Sequence, residues 1–282
     1  MTLTLLCLIS ASGSAQERSE VDNCGFRTPE QCAAAIAKDQ IGIFASPFHI
    51  GKKDFVWLLP FAAATGTALA FDHRALEQVS TNPSEVANFR RASNVTGIYA
   101  PVVGIGATWL AGVMKHDDHL RETGLLSGEA IADTALFITM LKYSADRVRP
   151  KANGFSAESG EFWPDGQRYP GADSFPSGHT AIAFAFAHVV ANEYPNWKTR
   201  LLVYSLASAT ALERVGGREH FPSDVLVGGA IGYLIGGYVY NHHAASSKNH
   251  FLLTPIVSNR TVGLSLVFSR SDADSSSSTE TH

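Results

Sequence analysis

The 282-residue chain predicts an all-α fold, an up-and-down bundle of about six core helices with a small C-terminal β-hairpin. Three observations lead there. Hydrophobic residues make up 45% of the chain and charged residues only 17%, against about a quarter charged in an ordinary globular domain. Six apolar stretches, 55–71, 94–114, 131–141, 179–192, 201–212 and 225–240, are separated by polar or Gly/Pro-marked breaks. None alternates as a strand does, and most are rich in Ala, Leu and Gly, so each is expected to be helical.

The chain divides into segments in order. Residues 2–9 are a short apolar run, and the small residues that follow end in Gly13-Ser14-Ala15-Gln16. Segment 1–15 reads as an export signal cleaved after Ala15, although it carries no Lys or Arg ahead of the apolar run. An exported chain, periplasmic or secreted, is the expectation. Cys7 would leave with the signal, so Cys24 and Cys32 remain as a disulfide or as two free thiols. Segment 16–54 contains an amphipathic helix, 29–44, that Pro29 starts. The core is 55–250, interrupted by polar loops at 72–93 and 150–175, lengths that usually mark functional loops. Gly228, Gly232 and Gly236 recur every four residues on the sixth stretch, a stripe that admits a second helix at close range. After the core, 252–257 and 261–268 flank Ser258-Asn259-Arg260 as a hairpin within 251–268. The Ser-rich end, 269–282, should be a disordered tail.

Two classes of partner are addressed by composition. The net charge of −4 argues against nucleic acid, whose phosphate backbone demands a basic excess. No Cys-x-x-Cys or Cys/His cluster is present, which excludes a thiolate zinc site. Three stretches come close to the ~20 apolar residues of a membrane span. The third and fifth are shorter, which favours a soluble or peripherally attached bundle, with an integral membrane bundle as the alternative.

Three short constellations carry chemistry. Lys142 and Arg149 are seven residues apart, near one face of the third helix, and Pro150 stops that helix. They could bind an anion or merely offset the helix dipole. Pro176-Ser177-Gly178-His179 opens the fourth helix, where free backbone N–H groups and the dipole suit an anion; a plain N-cap Ser beside a surface His is the bland reading. Arg214-x5-His220-x3-Asp224 places His220 and Asp224 about one turn apart at the start of the sixth helix. There a carboxylate can hold one imidazole nitrogen and free the other for attack. In an up-and-down bundle all three constellations meet at one end.

Taken together these motifs resemble the three-part signature of the type 2 phosphatidic acid phosphatase and vanadium haloperoxidase superfamily. The resemblance spans 142–224 and implies a helical, haloperoxidase-like core from about 55 to 240. It implies that Lys142, Arg149 and Arg214 bind the phosphoryl oxygens, with Ser177 and the N–H of Gly178. His220 is then the nucleophile that forms a phosphohistidine, Asp224 orients it, and His179 protonates the leaving oxygen. Phosphoryl transfer asks mainly for positioning and charge neutralisation, so three cations make a metal unnecessary and no cofactor is expected. Vanadate would inhibit, or serve as cofactor were the chain a haloperoxidase. The chain departs from the family at Glu213, where Ser usually precedes the Arg; on a helix its side chain points about 100° away from that of Arg214 and is expected to face away from the site.

The expected function is an exported phosphatase acting on phosphate monoesters or lipid phosphates. A vanadate-dependent haloperoxidase and a non-catalytic phosphate-binding module are the alternatives. Phe155, Phe162, Trp163 and Tyr169 could line a lipid entrance or pin the long loop to the bundle. Lys115-His116-Asp117-Asp118-His119 has metal-ligand residue types but is expected to be a solvated loop at the opposite end. His242, His243 and His250 are expected to be exposed. Asn94-Val95-Thr96 and Asn259-Arg260-Thr261 match the glycosylation sequon.

Overall fold

In a computed structural model, residues 29–46, 50–150, 160–164, 172–244, 249–258 and 261–270 are described. The expected signal, the Cys24–Cys32 pairing, Phe155, Tyr169 and the tail 271–282 lie outside them. Eight α-helices follow in order: α1 Pro29–Ala45, α2 Phe55–Glu77, α3 Pro83–Asn94, α4 Ala100–Lys115, α5 Asp118–Ala145, α6 Gly178–Glu193, α7 Trp197–Gly216 and α8 Pro222–Val239. A π-helical turn, Val95–Tyr99, fuses α3 to α4, and a second, Tyr240–Ala244, follows α8. Strands β1 Asn249–Ser258 and β2 Thr261–Arg270 pair antiparallel, with Ser258 opposite Thr261, as the hairpin expectation required.

All six apolar stretches are helices, but two readings change. The polar loop expected at 72–93 is mostly helix, because α2 runs on to Glu77 and α3 begins at Pro83. The start signal was present: Asn82 accepts from Ser84 N–H at 3.0 Å and Pro83 occupies the first turn, a position that costs no backbone donor. The end of α3 brings Ser93 to Arg214 and Asn94 to His179. Likewise α5 is 28 residues long and α7 20, not the short stretches their apolar portions suggested. Asp117 caps α5 through Leu120 N–H at 3.1 Å, and Asn196 caps α7 through Thr199 N–H at 2.9 Å.

The bundle is held by α6 lying against α8. A Cβ on Gly228 would stand 2.5 Å from the carbonyl oxygen of Ser177, on Gly232 2.0 Å from that of Ala181, and on Gly236 2.7 Å from that of Ala185. The glycine stripe therefore lets α8 rest on the backbone of α6, whose facing residues are alanines. Leu126, Ala130, Ala185, Val189, Ile235 and Val239 form the central core, joined by Ile43 of α1. With α3, the π-turn and α4 counted as one continuous run, Pro83–Lys115, helix directions alternate from α2 onward, so the ends of α2, α5 and α7 and the starts of α3, α6 and α8 share one end.

The outer faces are apolar as well. Val56, Leu59, Val102, Val103, Met114, Leu201, Leu202 and Leu212 are each more than half exposed. Three helical runs, Phe55–Glu77, Pro83–Lys115 and Asp118–Ala145, are long and apolar enough to cross a membrane. The short-helix argument for a soluble bundle falls with the true lengths of α5 and α7.

Candidate active site

The three constellations meet, although not as the spacing of the first implied: α5 ends at Ala145, so Arg149 lies in the segment after the helix and not on one helix face with Lys142, and Pro150 does not end the helix. His220 is 1% exposed in the link between α7 and α8. Its Nδ1 donates to the carbonyl of Ser174 at 2.6 Å, which leaves Nε2 with its lone pair. Burial, and then the charges of Arg149, Arg214 and Lys142, push the imidazole well below its usual pKa, against an upward pull from the Ser174 carbonyl. Thus the three cations surround a neutral imidazole, the state a nucleophile needs.

Asp224 does not hold His220 directly, which corrects the sequence expectation. Its Oδ2 stands 3.7 Å from Nδ1, too far for a hydrogen bond. Instead that oxygen accepts from Ser174 Oγ at 2.6 Å and from Phe221 N–H at 2.8 Å. Asp224 therefore fixes the segment whose carbonyl orients the imidazole. Its other oxygen pairs with Arg147 at 2.5 Å. Arg147 also reaches Asp72 of α2 at 2.8 Å and Ser223 Oγ at 2.8 Å, and its guanidinium stacks over the Phe162 and Phe221 rings at 4.7 and 4.1 Å. Arg147 was noted in the sequence only as a nearby cation; it is a buried hub that binds Asp72, Ser223 and Asp224 close to His220. Phe162 thus helps to pin the loop, as does Trp163, whose Nε1–H donates to the Ser144 carbonyl at 2.7 Å.

The cationic phosphate-binding candidates, Lys142, Arg149 and Arg214, lie around His220. Lys142 Nζ donates to the backbone carbonyl of Asp173. Arg149 grips both oxygens of Asp173, at 2.5 and 2.6 Å, and also meets Glu219. Burial raises the Asp173 carboxyl, but the Arg149 hydrogen bonds and the charges of Arg149 and Lys142 outweigh it and hold it low. Arg214 donates to Ser93 Oγ at 3.2 Å and to Glu219 at 3.3 Å, while its Nε–H is buried with no hydrogen-bond partner among the described residues. Two carboxylates, Asp173 and Glu219, thus lie where an anionic ligand would compete for the same guanidinium forks. Neither was singled out from the sequence.

Ser177 is fully buried, its N–H donating to the Asp224 carbonyl at 3.0 Å and its hydroxyl meeting that of Thr180 at 3.0 Å. Gly178 begins α6 and lies about 4.0 Å, by its would-be Cβ, from the Lys142 side chain. His179 Nε2 meets Asn94 Oδ1 at 3.0 Å, so Asn94 serves the site although the sequence marked it only as a sequon. Gly97 leaves the room, since a Cβ there would stand 3.1 Å from His179 Cβ. Glu213 Oε2 accepts from Thr96 Oγ1 at 2.6 Å. Arg218 ties the end of α2 to this region by donating to the carbonyls of Leu76, Val79 and Ser80 at 2.8, 2.7 and 3.2 Å.

Residues 123–248 match the family model of the PAP2 superfamily. The chain is 42% identical over 83 residues to the lipid A 1-phosphatase of Porphyromonas gingivalis, covering 29% of this chain and only 18% of that protein. It is 26% identical over 200 residues to a PA-phosphatase related-family protein of Dictyostelium discoideum, covering 60% of this chain and 69% of that one. Among solved structures, a transmembrane PAP2 type phosphatidylglycerolphosphate phosphatase from Bacillus subtilis aligns with a TM-score of 0.47 at 19% identity, over 75% of this chain and 96% of that one. Aquifex aeolicus LpxE aligns with a TM-score of 0.41 at 19% identity, over 60% and 92%. The matched segment, residues 123–248, carries all three motifs and is what this chain shares with the PAP2 superfamily model.

Proposed function

We propose that this protein hydrolyses the phosphate monoester of a lipid phosphate, without a metal, through a phosphohistidine on His220. The observation that carries the reading is the buried neutral imidazole with Nε2 free and three cations around it. Nε2 attacks phosphorus as the ester P–O bond breaks, and His179 gives its proton to the departing oxygen. Because His179 Nε2 is held by Asn94, Nδ1 is the nitrogen that exchanges this proton. His179 then takes a proton from water, which attacks phosphorus and breaks the P–N bond, releasing phosphate and restoring His220. Lys142, Arg149 and Arg214 neutralise the oxygens throughout, with Ser177 and the N–H of Gly178 beside them. For Arg149 to do so, Asp173 and Glu219 must yield to the substrate. Asp224 is a positioning residue that acts through Ser174.

A lipid substrate is favoured by the surface. We read α2, α4–α8 as membrane-spanning. An apolar cavity of about 1020 Å³ lies between α2, α3, α7 and α8. It runs from Phe61 and Tyr233 past Phe89 and Leu226 to Gly216 and Pro222 at the site end, a path suited to an acyl chain. Export rests on segment 1–15 alone.

The test is phosphate release by the whole chain in detergent and EDTA, comparing short-chain phosphatidic acid with an aryl phosphate. Lipid turnover should exceed aryl phosphate turnover. His220→Ala should lose it together with the acid-labile label trapped from a radioactive phosphate ester. Turnover that survives His220→Ala overturns the mechanism. Phosphate binding with no turnover in the unaltered chain supports a binding module instead, and vanadate-dependent halide oxidation a haloperoxidase.

A further inference from the structure

Far from His220, the opposite end of the bundle buries a second polar cluster. Asp39 lies on α1, Glu129 and Asp133 one turn apart on α5, and His243 on the turn after α8. His243, expected to be exposed, has a side chain only 12% exposed. Its Nε2 is 2.9 Å from Asp39 Oδ2 and 3.7 Å from Glu129 Oε1. One ligand atom from each of Asp39, Glu129 and His243 lies within 4.8 Å of the others. Asp133 is fully buried beside them, its carboxylate interacting with that of Asp39. Gln40 donates to its Oδ1 at 2.8 Å, whereas Oδ2 has no hydrogen-bond partner among the described residues.

Among the described residues, full ionisation of the three carboxylates would leave two negative charges in excess even with the imidazole protonated. The groups acting most strongly on Asp133 are Gln40, Asp39 and His243, with no lysine or arginine among them. Buried charge of this kind must be matched by a counter-charge, and a dication supplies both charges at once. Ligand atoms on one cation at about 2.0–2.2 Å stand roughly 3–4 Å apart, which suits the separations around His243 Nε2. An imidazole with carboxylates selects a first-row transition cation over Ca²⁺ or Mg²⁺.

We propose that Asp39, Glu129, Asp133 and His243 bind one divalent transition-series cation, which clamps α1 to α5 and α8. This ion is structural and remote from the phosphate-binding end, so the proposal stands or falls independently of the phosphatase reading.

The tag-free full-length chain in detergent is stripped with EDTA, equilibrated with Zn²⁺ and desalted, and its zinc is measured by atomic emission. One zinc per chain is expected, with a rise in thermal midpoint that the stripped protein lacks. Asp39→Asn and His243→Gln should each lose the retained zinc and the rise, while His220→Ala keeps both. Replacing Zn²⁺ by Co²⁺ should give a visible ligand-field spectrum in the unaltered chain, which decides the matter should a variant fail to fold. Absence of stoichiometric zinc in the unaltered chain, or equal retention by both variants, overturns the proposal and leaves protons as the neutralising charge.

Discussion

The α6–α8 contact makes the sharpest prediction, because it is set by backbone atoms that cannot rotate away. A methyl group at Gly232 would stand 2.0 Å from the Ala181 carbonyl oxygen and 2.7 Å from its carbon. That is about 1.4 Å short of an ordinary contact near 3.4 Å, and overpacking of this sort costs typically ~1–3 kcal/mol, occasionally more. Gly232→Ala should sit at the upper end and lower the thermal midpoint in detergent. Gly228→Ala is closer to the chemistry, with its methyl 2.5 Å from the Ser177 oxygen and 3.1 Å from the Ser177 nitrogen. Relief requires Ser177 to move together with Gly178 and His179, and a misplacement of ~1 Å can reduce turnover on the order of 100-fold. Gly106 and Gly66 meet nothing within 4 Å, so alanine there should be neutral or stabilising by up to ~1 kcal/mol. The assay is a thermal melt with phosphate release for the four variants. Were Gly232→Ala to melt with Gly106→Ala, and Gly228→Ala to keep full turnover, the close helix approach would not be what the stripe provides.

Three further outcomes are expected. Asp72→Ala strips one carboxylate from buried Arg147 and leaves the Ser223 N–H without its 3.0 Å acceptor; a loss of about 3–5 kcal/mol follows, seen as a lower melting point, whereas Asp72→Asn should retain part of it and an unchanged melt would contradict the hub role. His220 titrates well below 6.5 when folded, so below pH 6.5 the unfolded chain binds a proton the folded one does not; stability should fall with acidification by up to ~1.4 kcal/mol per pH unit relative to His220→Asn in phosphate-free buffer, and parallel pH curves would exclude a buried neutral imidazole. Glu213→Ala should leave turnover within about fivefold, under ~1 kcal/mol in barrier, because its carboxylate is engaged by Thr96; a large gain would mean that it repels the substrate after all.

The clustering of the candidate site residues at one end was legible in the sequence because it depends mainly on helix ends. Lys142, Ser177, His179, Arg214 and His220 each sit at or beside a helix start or stop, while Arg149 lies in the segment that follows α5, and alternation of direction brings such ends together whatever the side-chain detail. The glycine stripe was legible as well, since a four-residue spacing maps onto one face. Tertiary structure alone decided what supports these groups. Asp72 reaches Arg147 across 75 residues, Asn94 reaches His179 across 85, and Asp39 reaches His243 across 204; no local period encodes such pairings. Charge also misled in a consistent way. The polar residues at 72–93 read as loop, yet most of them are helical, and Glu129 and Asp133 lie buried within α5. A buried carboxylate is tolerable only beside a partner, and the partner becomes visible only once the helices have packed.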